Sequence, residues 1–129
     1  EITEVALLDD APRTSESLNM LREHGVLAQL DDFGTGFSAL SYLHRFPIAS
    51  LKIDRSFVSG LDGDVRTESV AVIRAIVALA NSLNIEIIAE GVETQRQRER
   101  LHDLGCTYAQ GYLFGRPAPP SQALAPPAT

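Results

Sequence analysis

Little in this chain is suited to a membrane, a disulfide or a polyanion. No apolar run approaches the roughly 18 residues of a bilayer-spanning helix, and no basic-apolar-small signal opens the sequence. Cys106 is the only cysteine, which excludes an internal disulfide and suits a reducing cytoplasm. Beside Gly105 it reads as a small half-buried side chain rather than a reactive thiol. Positive charge is scarce: 11 Lys and Arg against 17 Asp and Glu leave a net −6. That balance excludes a broad basic surface for nucleic acid or anionic lipid, so an anionic substrate needs metal ions or a few placed cations. No stretch repeats another. At 129 residues and 44% hydrophobic, the chain is one domain at most, with enough apolar content for a core.

What is present is a repeated grammar. Extended apolar runs at Val26 to Leu30, Leu51 to Ile53, Ile85 to Ala89 and Thr107 to Leu113 are separated by helix-patterned segments, and that alternation implies parallel βαβ units. Glu1 to Val5 reads as the end of a further strand. Ser15 to His24 reads as a short helix closed by Gly25, and Ser38 to Phe46 as a second one stopped by Pro47. Val70, Ile73, Val77 and Ala80 form one stripe of a third helix, widened by Val72, Ile76, Leu79 and Leu83. Thr94 with Gln97 fits a capping box for a fourth, which carries Leu101 and Leu104 and ends at Gly105. Its Arg-Gln-Arg-Glu-Arg segment is a solvated face. Ser59 to Thr67 reads as a long surface loop. From Arg116 onward come five of the seven prolines, a tail expected to wrap briefly and fray.

The chain is organised around Leu30-Asp31-Asp32-Phe33-Gly34-Thr35-Gly36, where an apolar run stops on adjacent carboxylates and breaks into glycine. Strand side chains alternate, so Asp31 and Asp32 point apart unless the chain bends there. Two acids before a flexible loop can surround a hard divalent cation, but on this stretch alone a solvated turn is the readier account of the same residues. Acids at other strand ends decide between these. Glu1, Asp31 and Asp32, Lys52 and Asp54, Glu90, and Gln110 fall at the ends of five successive strands, and parallel strands with helical crossovers put those ends on one side. Such a face suits two-metal hydrolysis of a phosphate ester. Asp31, Asp32 and another carboxylate can hold two ions about 4 Å apart, Lys52 offers positive charge where negative charge develops, and Glu90 can ligate or take a proton from water.

Taken together, Glu1-Ile2-Thr3-Glu4, Leu30 to Ser38, Leu51-Lys52-Ile53-Asp54, Ala89-Glu90-Gly91-Val92-Glu93 and Ala109-Gln110-Gly111-Tyr112 resemble the ordered motifs of the EAL domain, the cyclic di-GMP phosphodiesterase family. The resemblance runs from Glu1 to about Pro119. It implies an α/β fold of the (β/α)8 TIM-barrel type with one reversed strand, of which four to five parallel strands with their helices lie here. It also implies hydrolysis of cyclic di-GMP to the linear dinucleotide with Mg²⁺ or Mn²⁺ in bacterial second-messenger signalling. By that resemblance Glu1, Asp31, Asp32 and Glu90 match metal ligands, and Lys52 and Glu90 the catalytic pair at the attacking water. Gln110 matches a substrate-proximal glutamine. Glu4 matches the glutamate that steadies the Asp-Phe-Gly-Thr-Gly loop, and Glu93 matches a second acid of the same region. The Phe33 to Leu43 loop and helix match a segment that contributes to a homodimer; no nucleic-acid or membrane partner is implied by this segment.

The family's Glu-Ala-Leu motif and the asparagine of its next strand are not in this sequence. A complete barrel takes about 250 residues, so residues 1–119 are expected to be the C-terminal part of such a domain and 120–129 a Pro/Ala-rich tail. The piece alone is expected to be inactive, and the parent to be cytoplasmic, with any membrane anchor in upstream segments. The alternative is a catalytically inactive module that binds cyclic di-GMP or a protein partner.

Overall fold

The computed structural model describes residues 1–35, 43–63 and 68–123. Five strands, β1 (Ile2–Thr3), β2 (Ala28–Phe33), β3 (Ile48–Ile53), β4 (Glu86–Ala89) and β5 (Tyr108–Ala109), form one sheet in chain order. Every neighbouring pair is parallel. An open doubly wound sheet reverses its strand order at a switch point; this one never does, which is the winding of a barrel.

Helices occupy the crossovers for reasons visible residue by residue. Helix α1 (Glu4–Asp9) starts because Thr3 Oγ1 accepts from Ala6 N at 3.3 Å, and α2 (Ala11–Glu23) because Asp10 Oδ1 accepts from Arg13 N at 3.3 Å, with Pro12 in its first turn. Short α3 (Arg55–Ser59) is capped by Asp54, whose carboxylate accepts from Ser56 N, and runs into a 3₁₀ turn at Gly60–Asp62. Helix α4 (Glu68–Leu83) buries Val70, Ile73, Ile76, Val77 and Ala80, the stripe its 3.6-residue period dictates. Helix α5 (Gln95–Asp103) carries the expected capping box, and α6 (Pro120–Ala123) is one turn in the proline-rich tail.

The core lies between these helices and one face of the sheet. Ile2, Leu30, Leu51 and Ile87 are in register across four strands, and Ile53 and Ala89 form the next row. Leu30, Leu51, Ile53 and Ala89 are fully buried.

Several expected boundaries move. The opening is a strand for only two residues, because the Thr3 cap turns the chain into α1 at Glu4. The helix expected from Ser15 begins four residues earlier, at the Asp10 cap. Within the expected Ser59–Thr67 surface loop, the 3₁₀ turn buries Leu61 completely; this apolar anchor holds a segment whose glycines and charges suggest solvent. The last strand ends at Ala109 rather than Leu113, with a turn following from Gly111. The helix expected at Ser38–Phe46 falls largely outside the described residues.

Among the described residues β1 and β5 each have one partner strand, and Val5, Leu27 and Tyr108 are at least half exposed. Unpaired edges beside apolar surface template association. The 129-residue chain is therefore expected to self-associate in light scattering, with apparent mass rising with concentration; a monomer over a hundredfold concentration range would contradict this.

Candidate functional site

The strand rows that build the core also aim the polar residues. Alternation sends each neighbour of a helix-facing residue to the opposite face. Glu1 adjoins Ile2, Asp31 adjoins Leu30, Lys52 lies between Leu51 and Ile53, Glu90 follows Ala89, and Gln110 follows Ala109. All five therefore belong to the inner face. Asp31, Lys52, Glu90 and Gln110 lie towards or just beyond the carboxyl ends of their strands, whereas Glu1, expected at a strand end, precedes β1 because the chain turns into α1 two residues after the strand begins. The backbone ladder continues far enough to hold two of them: Glu90 N donates to Ile53 O at 3.1 Å, and Gln110 N to Ala89 O at 2.8 Å.

Asp32 breaks the alternation. Leu30 pairs with Leu51 and Phe33 with Ile53, so three steps on β2 oppose two on β3. The extra residue is a bulge, taken up by Asp32 at φ +54°. Asp31 Oδ1 accepts from Asp32 N at 2.9 Å, and Phe33 returns to the core row, 4% exposed. The bend that the adjacent acids require is thus present, and it lies on Asp32 itself rather than on the glycines. As a result the ligand atoms of Asp31, Asp32 and Glu90 lie within 4.8 Å of one another.

Lys52 is the hub. It is the chain's only lysine, beside ten arginines, and is 5% exposed. Its Nζ lies 2.5 Å from Glu90 Oε1, 2.8 Å from Glu1 Oε1 and 3.8 Å from Asp31 Oδ1. Burial works against its charge, but hydrogen bonds to Glu1 and Glu90 and the field of Asp31 outweigh burial and hold the ammonium above its ordinary range. Glu1 is correspondingly held below its ordinary value by Lys52. Asp32 moves the other way: the Asp31 charge, then burial and Asp54, raise it. Asp54 is lowered, chiefly by the hydrogen bond from Ser56.

Gln110 Nε2 donates to Glu90 Oε1 at 2.6 Å. Gly111 makes that approach possible, because a Cβ there would stand 2.2 Å from Val92 O; Val92 N donates to Gln110 O and Leu113 N to Val92 O across the same gap. Glu90, Lys52, Asp31, Asp32 and Gln110 are thus gathered. Glu1 joins through Lys52 and stands apart from the three-carboxylate group. Glu4 is buried at the start of α1. Glu93 lies outside the three-carboxylate group and pairs with Arg55 Nη2 at 2.8 Å, lining the same cavity as Gln110. The reading from sequence gave Asp54 no role beyond its strand end and passed over Arg55. The Asp-x-Ser spacing of Asp54 and Ser56, a helix cap, was the available signal.

Three carboxylates this close, one of them raised by its neighbour's charge, fit a divalent cation, which would relieve the repulsion that raises Asp32. The arrangement defines a class: an α/β barrel-type domain with an acidic, lysine-centred face at its strand ends. Comparison with known proteins then fixes the family. The EAL domain profile matches residues 1–117, and this chain belongs to the EAL domain family. It is 48% identical over 125 residues to the bifunctional diguanylate cyclase/cyclic di-GMP phosphodiesterase MucR of Pseudomonas aeruginosa, covering 97% of this chain and 18% of that protein. It is 46% identical over 124 residues to the cyclic di-GMP phosphodiesterase RocR of the same organism, covering 96% and 31%. The structure superposes on the MucR phosphodiesterase in its c-di-GMP complex with a TM-score of 0.88 at 47% identity, spanning 95% of this chain and 49% of that one. It superposes on Klebsiella pneumoniae BlrP1 in a manganese and c-di-GMP complex with a TM-score of 0.79 at 32% identity, spanning 88% and 28%. The chain thus spans under a third of these curated relatives and about half of the solved MucR chain.

The chain is expected to bind Mn²⁺ in calorimetric titration, and Asp31→Asn to weaken that binding at least about tenfold. Asp32, being raised, takes up a proton at higher pH than an ordinary aspartate, so acid competes with the cation early. The sign follows: repulsion around ionised Asp32 opposes folding above its raised pKa and is lost as the pH falls from there to the ordinary aspartate range. Stabilisation by Mn²⁺ in thermal melts should therefore be larger at pH 7 than at pH 5. An equal gain at both would detach the cation from these acids.

Proposed function

We propose that the domain to which this chain contributes hydrolyses cyclic di-GMP to the linear dinucleotide, as a phosphodiesterase of bacterial second-messenger signalling. The observation that carries the reading is the meeting of Lys52, Glu90, Asp31, Asp32 and Gln110 on one strand-end face. The names of the relatives at 46% and 48% identity support it. Residues 1–119 are its C-terminal part, and 120–129 a tail.

The roles follow from charge and reach. Water adds across one phosphoryl ester bond: its oxygen bonds phosphorus, the P–O bond to the ribose breaks, and one proton of the water is taken up by a base while the departing ribose oxygen leaves as a hydroxyl after receiving a proton. Lys52 stays protonated and so serves as a donor to developing negative charge rather than as a base. Glu90, held by Lys52 and Gln110, is the candidate to receive the water's proton or to ligate a cation. Asp31 and Asp32, with Glu1 reaching in beside Lys52, are the anionic donors for Mg²⁺ or Mn²⁺. Two bound ions would supply Lewis-acid activation of water and neutralise the phosphate. Gln110 presents an amide at the substrate side of Glu90, while Glu4 and Glu93 hold flanking loops.

A cytoplasmic setting fits the lone buried Cys106, whose thiol burial pushes up to about 11, and among the described residues no helix is long and apolar enough to cross a membrane. A homodimer through Phe33 to Leu43 belongs to the same reading. Phe33 and Leu43 at its ends are buried, and residues 36–42 lie outside the described ones.

The deciding experiment uses a complete EAL domain carrying this chain, with single-turnover hydrolysis measured beside Mn²⁺ titration. Lys52→Ala should lose turnover on the order of 10² to 10³-fold, as for loss of one transition-state donor, and keep most metal affinity. Asp31→Asn and Asp32→Asn should lose both. Wild-type rates in all three variants would make the carboxylate pair only a bulge. The 129-residue chain alone should show little or no turnover; EDTA-sensitive hydrolysis by it would make the other half dispensable.

A further inference from the structure

The cap of α5 contains more than a helix start needs. Gln97 is 3% exposed, and both ends of its amide are engaged. Its Oε1 accepts from Glu93 N at 2.8 Å and Thr94 N at 3.2 Å, while its Nε2 donates to Asp62 Oδ2 at 2.7 Å. Thr94 Oγ1 accepts from Gln97 N and donates to Asp62 Oδ1 at 3.1 Å. An ordinary capping box is reciprocal between two residues of one helix. Here a third residue, from the 3₁₀ turn that leaves β3 through α3, closes the ring. The same turn is gripped again from α5, since Arg100 donates to Leu61 O and Gly63 O, and Arg96 to Gly63 O.

The two segments so joined are those that follow Lys52 on β3 and Glu90 on β4. Glu93, whose N–H Gln97 holds, is three residues from Glu90, and the intervening Val92 is hydrogen-bonded to the backbone of Gln110. Gly91, at φ +70°, leaves room for Arg55, which passes over it to Glu93; a Cβ there would stand 2.4 Å from Arg55 Cγ. We infer that Asp62 and Gln97 are positioning residues for the site: their hydrogen bond fixes the loop after Glu90 against the segment after Lys52 and so sets the Lys52–Glu90–Gln110 geometry. This deepens the proposed function and depends on it only where metal affinity is read.

Gln97→Glu separates positioning from capping. The glutamate keeps an acceptor for Glu93 N and Thr94 N, which a capping box tolerates, but it cannot donate to Asp62 and sets two carboxylates against each other. In ¹⁵N NMR of the 129-residue chain, the Lys52 ammonium and the Gln110 side-chain amide should shift in this variant; with one lysine in the chain, the first signal is unambiguous. Mn²⁺ affinity should fall about tenfold, as for supporting residues behind metal ligands. Adding Asp62→Asn restores a donor, now running from position 62 to position 97, and should return both signals and affinity towards wild type. Asp62→Ala, which opposes no charges and leaves the helix's own cap whole, guards against simple unfolding and should give smaller shifts of the same two signals.

Unchanged Lys52 and Gln110 signals in Gln97→Glu and Asp62→Ala would reduce Gln97 to a helix cap and overturn the inference. So would a double variant no closer to wild type than Gln97→Glu alone. If the wild-type chain binds no Mn²⁺, the metal reading of this chain fails, while the two NMR signals still decide the positioning role.

Discussion

A buried ammonium among carboxylates constrains this structure more than any other group. Lys52 is 5% exposed on the third of five strands, within 4 Å of acids from the first, second and fourth. Removing a charge from water costs several kcal/mol, whereas one opposite charge 4 Å away returns roughly 4 kcal/mol at an effective dielectric of about 20. A single partner would leave the balance near zero, and the Lys52 pKa is displaced upward, so the carboxylates together outweigh its burial. The dependence is mutual, because without Lys52 three acids would converge on one face with no described cation between them. Lysine suits the position better than arginine: its compact ammonium can be shared among acids from different directions, where a planar guanidinium would commit to one or two.

The bulge at Asp31 and Asp32 lets the same face hold a cation as well. A regular strand would give that face one aspartate and press the other into the helix-facing hydrocarbon. Inserting one residue keeps Leu30 and Phe33 both in the core rows while freeing Asp32. The positive φ there is tolerable because aspartate is among the few non-glycine residues that visit the left-handed region readily. Local backbone strain and charge repulsion thus coincide at Asp32, and an incoming cation would relieve the second.

How much of this was legible in the sequence depends on whether a residue acts through period or through partners. The α4 stripe, the Thr94–Gln97 box and the parallel βαβ order are periodic or local, and they appear as read. Placing Asp31, Asp32, Lys52, Glu90 and Gln110 on one face needed only that parallel strands share a carboxyl end. Three short helices were missed: α1 and α3 because their caps, Thr3 and Asp54, sit inside segments whose composition suggests strand or loop, and α6 because it is a single turn in a proline-rich tail, where short helices leave little periodicity to detect. Leu61 is one apolar residue among glycines and charges, so its complete burial could not be seen without α4 and α5 packed beside it. Arg55 against Gly91 and Asp62 against Gln97 are contacts across more than thirty residues, which no window along the chain contains.

The sheet divides its work by face, and the division has consequences for change. On the helix side, Ile2, Leu30, Leu51 and Ile87 are matched in register, so a truncation there opens a cavity in continuous hydrocarbon and falls on stability, typically 2–5 kcal/mol for Leu to Ala. On the inner side Asp31, Lys52, Glu90 and Gln110 have partners across strands, so a substitution among them falls first on the charge balance around Lys52. The two faces are coupled through backbone positions they share. Leu51, Lys52 and Ile53 are consecutive, as are Ala89 and Glu90, and a register slip of one residue would exchange hydrocarbon for charge on both sides at once. The apolar rows therefore do more than fill a core: by making every other register untenable, they keep the acids gathered around Lys52.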